Sequence, residues 1–418
     1  MREILLTAFQ VALEAANPLN LVPQHLPAPP KGRTLVVGGG KAAAAMAKAV
    51  EDNWPPLLPL SGLAVTRHQH GLATRRIEIM EGSHPLPDGR GAEAASRMLE
   101  AIKGLTPDDL LLVLLSGGGS SLLALPVEGV TLNELRAVTN ALLTSGAPIQ
   151  DINVVRKHLT RFSAGRVAAL SPAPIVALII SDVVGDDPTH VASGPCAPDP
   201  TTHADALAVL HGYSINPPAS VSAYLEQGQR GVVPDTPKPG AMMFNKVENR
   251  IIGSARQSLA AAEAFLRGEA FNVFNFGEAE GESRKLAQAH ANLMSQLMQT
   301  APRPFALLSG GETTVTVSNP LGRGGRNTEY LLALGLALRN VNNIWALACD
   351  TDGIDGTEPN AGALWTPDTP TKARALGLDA EQMLDENNAF AFFDALNDLV
   401  VSGPTRTNVN DFRLTLAA

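Results

Sequence analysis

The sequence predicts an α/β protein with a mostly parallel β-sheet. Short apolar runs at 110–115 and 175–180 have the length of strands and are apolar on both faces, as buried parallel strands are. These runs alternate with stretches of helical spacing, such as 92–102 and 131–143. Alternation of this kind is typical of βαβ units, so we expect the strands to pair in parallel.

The composition is that of a folded globular protein with an acidic balance. The chain has 418 residues, of which 45% are hydrophobic and 17% are charged, enough for about two or three domains. The net charge is -9 and no basic block is present, so we expect no nucleic-acid partner. Cys196 and Cys349 are the only cysteines, which excludes a disulfide framework and a zinc–cysteine cluster.

The first residues and the middle of the chain indicate location and domain organisation. Residues 2–16 have the spacing of an amphipathic helix and lack the features of a secretory signal. No apolar run is long enough to cross a bilayer, so we expect a cytoplasmic protein without a membrane partner. Residues 213–245 lose periodicity and gather prolines. We therefore predict two domains, 1–240 and 241–418.

The segment DLLLVLLSGGGSSLL at 109–123 predicts a strand, an anion-binding turn and a helix. Glycines let backbone N–H groups approach an anion closely, and serines add hydroxyl donors. A helix that begins near the end of the turn adds partial positive charge at the same point. The candidate phosphate-binding residues of this turn are Ser116, Gly117, Gly118, Gly119, Ser120 and Ser121.

Two further strands run into glycine-rich turns of the same design. TLVVGGGK at 34–41 contains Gly39, Gly40 and Lys41, and FALLSGGETT at 305–314 contains Gly310 and Gly311. Each turn alone would be explained by a tight turn at the sheet edge. Three of them favour one polyanionic ligand held by several loops. Another glycine-rich loop, at 322–326, includes Gly325 and precedes a helix predicted over 327–339.

Lys41 follows three glycines at a predicted helix start, where a point cation suits phosphate or carboxylate oxygens. The turn is not a P-loop, because the required glycine and Ser/Thr positions are Leu35 and Ala42. It does match a loose G-x-G-x-x-A dinucleotide pattern. The following strand ends at Arg67 rather than at an acid, so an NADPH-dependent reductase stays an alternative.

Charged residues near the other glycine turns suggest phosphoryl-transfer chemistry. Arg326 lies in the glycine-rich loop before a predicted helix, where arginine can clamp carboxylate or phosphoryl groups. Two acidic clusters end strands, and their oxygens suit Mg²⁺, although Asp-Gly turn formation also explains acids there. The members are Asp182, Asp186 and Asp187, and Asp350, Asp352 and Asp355. No G-x-S-x-G, H-E-x-x-H or paired C-x-x-C motif is present.

Nine ordered motifs resemble those of a known family. They are SHPLPD (83–88), LLSGGGSSLL (114–123), RKHL (156–159), LIISDVVGDD (178–187), SGPCAPDPTT (193–202), SGGETTVTV (309–317), GGRNTE (324–329), DTDGIDG (350–356) and GPTRTNVND (403–411). Together the motifs resemble the class II glycerate kinases, the glycerate 2-kinase family whose C-terminal part is called the MOFRL domain. Some relatives carry the name hydroxypyruvate reductase of tartrate utilisation.

The resemblance implies a fold and a reaction. It implies two α/β domains, the N-terminal one a Rossmann-like three-layer sandwich, with the active site in the cleft between the domains. It implies transfer of a phosphoryl group from ATP, with Mg²⁺, to the 2-hydroxyl of D-glycerate, which gives 2-phosphoglycerate and ADP. An NAD(P)H-dependent hydroxypyruvate reductase and a non-catalytic binder of phosphorylated metabolites stay open as alternatives, and so does a homodimer.

The resemblance also implies roles for individual residues. Lys41 and Arg326 match the family's catalytic lysine and arginine. We expect His84, Arg156 and Asn408 to bind the substrate, and Asp182, Asp186 and Glu312 to hold the metal. Two departures stand out: Ser163-Ala164-Gly165-Arg166 replaces the usual Lys-Gly-Gly-Arg, and Arg406 replaces the central glycine of the last motif.

Overall fold

The computed structural model describes all residues from 1 to 418, and their contacts divide the chain into two units. The N-terminal unit is Pro18–Ile252, and the C-terminal unit combines Met1–Asn17 with Gly253–Ala418. The chain therefore passes from one unit to the other twice. This division differs from the predicted boundary at 240, because the first helix belongs to the same unit as the C-terminal residues.

The elements up to residue 253 are mainly βαβ units and a group of helices. The helices are α1 (Arg2–Ala15), α2 (Pro18–His25), α3 (Ala43–Asn53), α4 (Gly89–Lys103), α5 (Gly119–Leu122), α6 (Leu132–Thr144), α7 (Ile149–Leu159), α8 (Arg166–Leu170), α9 (His203–Gly212) and α10 (Ala219–Gln229). The strands are β1 (Thr34–Gly39), β2 (Leu60–Arg67), β3 (Ile77–Gly82), β4 (Leu110–Ser116), β5 (Ile175–Ile180) and β6 (Val247–Gly253). Two short 3₁₀ helices cover Val191–Ser193 and Met242–Lys246.

The remaining elements form the larger part of the C-terminal unit. The helices are α11 (Ala255–Gly268), α12 (Ser283–Thr300), α13 (Arg326–Ala337), α14 (Thr369–Ala375), α15 (Ala380–Asp385) and α16 (Ala389–Ala395). The strands are β7 (Asn272–Glu278), β8 (Gly281–Glu282), β9 (Phe305–Gly311), β10 (Thr313–Thr314), β11 (Ile344–Asp350), β12 (Gly362–Trp365), β13 (Leu399–Val400) and β14 (Asp411–Ala417). None of the helices combines the length and the apolar character needed to span a membrane.

The N-terminal unit is built on a parallel six-stranded sheet with the order β3-β2-β1-β4-β5-β6. This confirms the predicted parallel α/β fold. The chain moves outward from β1 to β3 and then returns to the other side of β1 to form β4. The carboxyl ends of β1 and β4 are therefore a topological switch point, the place where open α/β sheets bind their ligands.

Helices cover both faces of this sheet, which makes the predicted three-layer sandwich. On one face, Val37 and Val113 belong to one apolar cluster with Met98 and Ile102 of α4. On the other face, α3 presents small residues such as Ala44 and Ala47, which are fully buried and let the helix approach the strands closely. A separate apolar core joins α6, α7, α9 and α10 into a helical lobe.

The C-terminal unit contains a mixed sheet with the order β13-β12-β11-β14-β9-β7. Only β7 and β9 pair in parallel, and the other neighbours are antiparallel. The centrally placed β14 was not predicted from the sequence. In the motif at 309–317, the segment after Glu312 forms only the two-residue strand Thr313–Thr314.

The mixed sheet also has helices on both faces. Helices α1 and α11 cover one face, where Phe9 contacts Phe412 with 5.7 Å between ring centroids. The other face carries α12, α13 and α16. The first helix is thus part of the core of the C-terminal unit.

Candidate active site

The glycine-rich turns that follow β1 and β4 lie next to each other at the switch point of the parallel sheet. Gly39, the last residue of β1, pairs with Leu115 of β4. The backbone N–H of Lys41 donates to the carbonyl of Gly117 at 2.8 Å, and the N–H of Ala42 donates to the Ser116 hydroxyl at 3.0 Å. The sequence predicted these turns to share a site, and in this unit they form one hydrogen-bonded structure.

Two glycines are required for this close approach. A Cβ on Gly40, whose φ is +140°, would lie 2.2 Å from the Ser116 hydroxyl oxygen. A Cβ on Gly118, whose φ is +82°, would lie 3.0 Å from Cδ2 of His84 and 3.4 Å from Cγ of Lys41. The Lys41 and His84 side chains therefore both lie against Gly118. The structure brings together a lysine, a histidine and a glycine turn that are far apart in sequence.

The turn leaves backbone donors available. The N–H groups of Gly118, Gly119 and Ser120 donate to no backbone carbonyl. This is the usual state of the first amides of a helix, and such amides bind anions. The hydroxyl of Ser121 is engaged, because it donates to the carbonyl of Pro85 at 2.6 Å.

Ser193 belongs to this site and was missed in the sequence. Its hydroxyl oxygen lies 2.7 Å from the hydroxyl oxygen of Ser120. Ala192 and Ser193 have φ values of 49° and 59°, and a Cβ on Gly119 would lie 2.5 Å from the Ala192 Cβ. Two consecutive non-glycine residues in the left-handed region cost on the order of 1–3 kcal/mol each, and such strain concentrates at functional sites. The sequence of the motif that begins at Ser193 gives no indication of this backbone conformation.

Arg156 is a cation without an acidic partner beside the glycine turn. It lines a small hollow together with Ser120, Ser121 and Thr139. No hydrogen bond or ion pair joins its guanidinium to another residue of the chain. Burial lowers the pKa of Arg156 to about 10, so the side chain is still protonated at neutral pH. An arginine so placed has its donors available for an anionic ligand.

Asp182 and Asp186 follow β5 at the same edge of the sheet. Ile180, the last residue of β5, pairs with Ser116 of β4, so Asp182 begins the loop next to the glycine turn. Asp186 has a φ of 57° and is half-buried. Asp187 accepts a hydrogen bond from the Thr189 N–H at 2.8 Å, which is the turn-forming role that was left open for this cluster.

In the C-terminal unit, Arg326 is held by three carboxylates. Its Nε donates to Asp411 at 2.8 Å, Nη1 donates to Glu312 at 2.7 Å and Nη2 donates to Asp350 at 2.8 Å. Burial alone would lower the pKa of Arg326, but Asp411, Asp350 and Glu312 outweigh burial and raise that pKa. The guanidinium stays charged, and two of its five N–H donors are left for a ligand.

Asp355 explains why Arg326 sits at a helix start. This buried carboxylate accepts the backbone N–H groups of Asn327 and Thr328, each at 2.9 Å, and so caps α13. The neighbouring acids also serve the backbone. Asp350 accepts the N–H of Asp352 at 2.9 Å, and Asp352 accepts the N–H of Ile354 at 2.8 Å. Turn formation therefore accounts for the second acidic cluster to a large extent.

Gly310 and Gly311 are the last residues of β9 rather than a free turn. They pair with Phe412 and Asp411 of β14. Their carbonyls accept from the guanidinium of buried Arg413 at 2.7 and 3.3 Å. Arg413 also binds Asp411, which thereby links the two arginines, Arg326 and Arg413. Asp411 is the last residue of the motif GPTRTNVND, and the sequence alone does not predict this role for it.

The loop before β14 contains the last predicted substrate residue. Asn408 is buried, and its side-chain oxygen accepts the N–H of Asn410 at 3.4 Å. The carbonyl of Asn410 accepts from the Thr351 hydroxyl at 2.7 Å, which ties this loop to the residues after β11. Arg406 has a φ of 59°, the left-handed region that favours glycine. This explains why a glycine would fit that position.

Comparison with known proteins gives matches along nearly the whole chain. Residues 4–226 match a family model described as a domain of unknown function, DUF4147, and residues 305–411 match the MOFRL family. A glycerate 2-kinase of Pyrococcus horikoshii is 37% identical over 92% of this chain and 88% of its own length. A protein of Agrobacterium vitis, provisionally named hydroxypyruvate reductase, is 46% identical over 99% of this chain and 94% of its own.

A solved structure agrees with these matches. The crystal structure of a glycerate kinase from Thermotoga maritima superposes with a TM-score of 0.85 and 35% identity, covering 100% of this chain and 99% of that one. These likenesses define a class of two-unit α/β proteins in which a DUF4147 region precedes a MOFRL region. The chain belongs to that family, the class II glycerate kinases, which confirms the resemblance seen in the sequence motifs.

Proposed function

We propose that the protein transfers the γ-phosphoryl group of ATP to the 2-hydroxyl of D-glycerate, giving 2-phosphoglycerate and ADP. The observation that carries this proposal is the meeting of Lys41, His84 and the free amides of the glycine turn at the switch point of the parallel sheet. Phosphoryl transfer asks a protein mainly for positioning and for neutralisation of charge, and these groups supply both. The names of the relatives support glycerate as the acceptor.

The N-terminal unit would bind the anionic groups. The amides of Gly118 and Gly119 would donate to phosphate oxygens, and Lys41 would neutralise charge that develops on the moving phosphoryl group. Arg156, which has no acidic partner, would bind the carboxylate of the hydroxy acid. His84 would hold the acceptor hydroxyl. In the reaction the bond from the γ-phosphorus to the bridging oxygen breaks, and that oxygen leaves with ADP. A bond forms between the phosphorus and the substrate oxygen, and the hydroxyl proton is released to water.

We also propose Arg326 of the C-terminal unit as a second catalytic cation. The three carboxylates around Arg326 fix the plane of its guanidinium, and two N–H donors remain available to an anionic ligand. We include Asn408 as a substrate contact, because its loop is tied to the segment that follows Asp350. Gly325 would allow the approach of a ligand to the start of α13, whereas Gly310 and Gly311 would act by shaping the end of β9.

The magnesium ion that accompanies ATP would be held by carboxylate oxygens. Asp182 and Asp186 fit this role best, because both follow β5 at the edge that carries the glycine turn. The carboxylate of Glu312 is already paired with Arg326, with 2.7 Å between Oε1 and Nη1. We therefore propose Glu312 only as a secondary metal ligand. When bound, the ion supplies positive charge to the phosphate oxygens.

A coupled assay tests the reaction and the position of the phosphoryl group. The protein is incubated with ATP, Mg²⁺ and D-glycerate, and ADP release is followed. Enolase is then added without phosphoglycerate mutase. We expect phosphoenolpyruvate to form, because enolase accepts the 2-phosphate directly. ADP release that yields phosphoenolpyruvate only after the mutase is added would mean phosphorylation at the 3-hydroxyl and would contradict the proposal.

Substitution of the two cations tests their roles in the same assay. We expect Lys41→Met and Arg326→Lys each to lower kcat by about 10²–10³, the usual size of such an electrostatic contribution. Lys48→Met is the matched control, because Lys48 lies on α3, the helix that follows Lys41, and is paired with Asp52 at the surface. Activity of either site variant within twofold of the parent would remove that residue from the mechanism.

A reductase is the second candidate, since the Agrobacterium relative carries that name and the sheet has the strand order of dinucleotide-binding folds. Arg67 ends β2 where an NADP phosphate is held in such folds. Hydroxypyruvate with NADPH distinguishes the two functions. We expect no sustained loss of nicotinamide absorbance. Steady oxidation without ADP release in the kinase assay would favour the reductase.

A further inference from the structure

Two buried histidines and an aspartate meet in the helical lobe of the N-terminal unit, among residues that the proposed phosphoryl transfer does not use. His158 is near the end of α7, His203 is the first residue of α9, and Asp235 lies in the loop after α10. One ligand atom from each residue falls within a group 4.8 Å across. We propose that His158, His203 and Asp235 bind a divalent transition-metal ion of the Zn²⁺ class.

The hydrogen bonding of His158 leaves an atom suited to a metal. Its Nδ1 lies 2.8 Å from the carbonyl of Val154, which can only accept, so Nδ1 carries the proton. In the neutral ring Nε2 is then an unprotonated acceptor, and it faces a carboxylate oxygen of Asp235 at 3.1 Å. Two acceptors at this distance need a cation or a proton between them. A carbonyl that fixes the other nitrogen is also the usual partner of a metal-binding histidine.

The second histidine supplies an independent observation. Neither ring nitrogen of His203 makes a hydrogen bond, although the residue is only 1% exposed. A buried polar group without a hydrogen bond is costly, and most such groups in proteins have a partner. Gly228 shapes this position, since a Cβ there would lie 2.3 Å from the imidazole ring. The ring is thus held close to Asp235, with Nδ1 at 3.2 Å from its carboxylate oxygen.

The separations fit a tetrahedral ion. Bonds of about 2.0–2.1 Å place neighbouring ligand atoms roughly 3.3 Å apart. The two histidine–aspartate distances, 3.1 and 3.2 Å, are close to that value. The ligand atoms lie within 4.8 Å of one another, so the two rings must approach each other to complete the site. The Asp235 side chain is 30% exposed, which provides a path for entry and room for a water ligand.

A cation of the chain competes for the site. The ammonium of Lys238 lies 3.2 Å from the same oxygen of Asp235, and the Thr236 N–H donates to that oxygen at 2.8 Å. Lys238 is therefore a competing cation, and its removal should strengthen metal binding.

Cobalt provides a probe that does not depend on enzyme activity. Untagged, chelator-treated protein is titrated with Co²⁺, and visible absorption of tetrahedral cobalt is recorded; Zn²⁺ is then added as a competitor. We expect one equivalent of bound cobalt that zinc displaces. Absence of a saturable cobalt spectrum, together with no zinc binding by calorimetry, would overturn the proposal and leave a buried histidine pair of structural role only.

Four variants locate the ion. We expect His203→Ala and Asp235→Asn to weaken binding by at least about 100-fold, since loss of mere outer-shell partners already costs 10–100-fold. Lys238→Met should tighten binding by about fivefold or more, because it removes an adjacent positive charge. His211→Ala, an exposed histidine on the same helix, is the control and should bind as the parent does.

The pattern across these variants separates a metal site from a folding effect. Lost cobalt binding is attributed to a missing metal ligand only if the variant unfolds at the same temperature as the metal-free parent. If His203→Ala fails to fold, Asp235→Asn decides, because that side chain is partly exposed and its change is isosteric. Cobalt binding that persists in Asp235→Asn and disappears in His211→Ala would assign the ion elsewhere and contradict the proposal.

Discussion

At the scale of single residues, the candidate site depends on a few positions whose backbone conformation excludes most side chains. Gly118 has a φ of +82° and contacts both His84 and Lys41. The proposed catalytic lysine and the proposed substrate histidine are thus separated by a residue that has no side chain. Their relative position is therefore sensitive to the size of residue 118.

We predict that Gly118→Ala lowers kcat/KM by about 10–100-fold, since displacement of a reacting group by about 1 Å can cost this much. Alanine in the left-handed region also costs roughly 1–2 kcal/mol of stability. Steady-state kinetics and thermal unfolding measure the two effects separately.

Gly129→Ala is the matched control, because Gly129 has nearly the same φ, +84°, and nothing within 4 Å of a new Cβ. Gly129→Ala should lose about as much stability as Gly118→Ala, and its kcat/KM should stay equal to that of the parent. Equal kinetic losses in the two variants would show that backbone strain, rather than contact with His84 and Lys41, is responsible.

The sequence predicted part of this site because some residues carry a local signal. Lys41 and the turn at 116–121 were predicted, because a glycine run after an apolar strand has few explanations. Ser193 and Asp411 were missed. The role of Ser193 follows from a left-handed backbone, and the role of Asp411 follows from a sheet pairing that places it beside Arg326. The local sequence around these two residues predicts neither role.

At the scale of secondary-structure elements, a buried carboxylate connects α3 to the start of β3. Glu51 accepts backbone N–H bonds from Arg75, Arg76 and Ile77. Burial alone would raise the pKa of Glu51, but these hydrogen bonds outweigh it, and the pKa lies below its ordinary value. The helix whose N-terminus follows Lys41 is thereby fixed to the sheet by a charged group.

This pKa shift predicts the pH dependence of stability. Because the folded-state pKa of Glu51 lies below the unfolded value of about 4.3, Glu51 stabilises the fold above about pH 4.3. That stabilisation is lost as the pH falls through the folded-state pKa. We expect Glu51→Gln to lower the free energy of unfolding at pH 7 by about 1–3 kcal/mol and to reduce its fall between about pH 6 and pH 3. Urea unfolding at several pH values measures this.

Glu78→Gln serves as the comparison, since Glu78 is half-exposed and its pKa is lowered chiefly by the side chain of Arg97. An exposed ion pair contributes at most about 1 kcal/mol, so this variant should follow the parent closely. A Glu51→Gln profile that coincides with the parent at every pH would contradict the assignment.

Elements differ in how well the sequence predicts them. The strands of the parallel sheet were predicted because they are apolar on both faces, whatever surrounds them. Strand β14 was not predicted, since its sequence includes Arg413 and Thr415, two polar residues that are buried in the structure. Arg413 is tolerated there because the carbonyls of Gly310 and Gly311 and the carboxylate of Asp411 accept its donors.

At the scale of the whole molecule, the chain order does not follow the division into units. The first helix, α1, belongs to the C-terminal unit, where Leu5 and Phe9 are in one apolar cluster with Leu308 and Phe412. The Thr407 hydroxyl also donates to the carbonyl of Ala16 at 2.7 Å. Substitutions in α1 should therefore lower the stability of the C-terminal unit, which contains Arg326.

We predict that Phe9→Ala destabilises the C-terminal unit by about 3–5 kcal/mol, the usual cost of removing a buried aromatic ring. Trp345 and Trp365 report on that unit and Trp54 on the other, because the chain has no further tryptophan. In a Trp54→Phe background, the fluorescence transition in urea should move to lower concentration.

The reciprocal variant is Phe162→Ala, which removes a buried ring from the core of the N-terminal unit. With Trp54 as the sole tryptophan, this variant should shift its transition, whereas Phe9→Ala should not. If Phe9→Ala shifted the urea transition reported by Trp54 as much as the transition reported by Trp345 and Trp365, the two units would unfold as one cooperative body.

The place of α1 and β14 has a consequence during translation. The first helix leaves the ribosome early. Strand β14, Asp411–Ala417, belongs to the same unit but is synthesised only after nearly all of the intervening chain. Residues 18–252 have all their own partners long before that moment. The nascent chain therefore carries an apolar helix without its sheet for most of its synthesis, and Arg326 acquires Asp411 only when the last strand has been made.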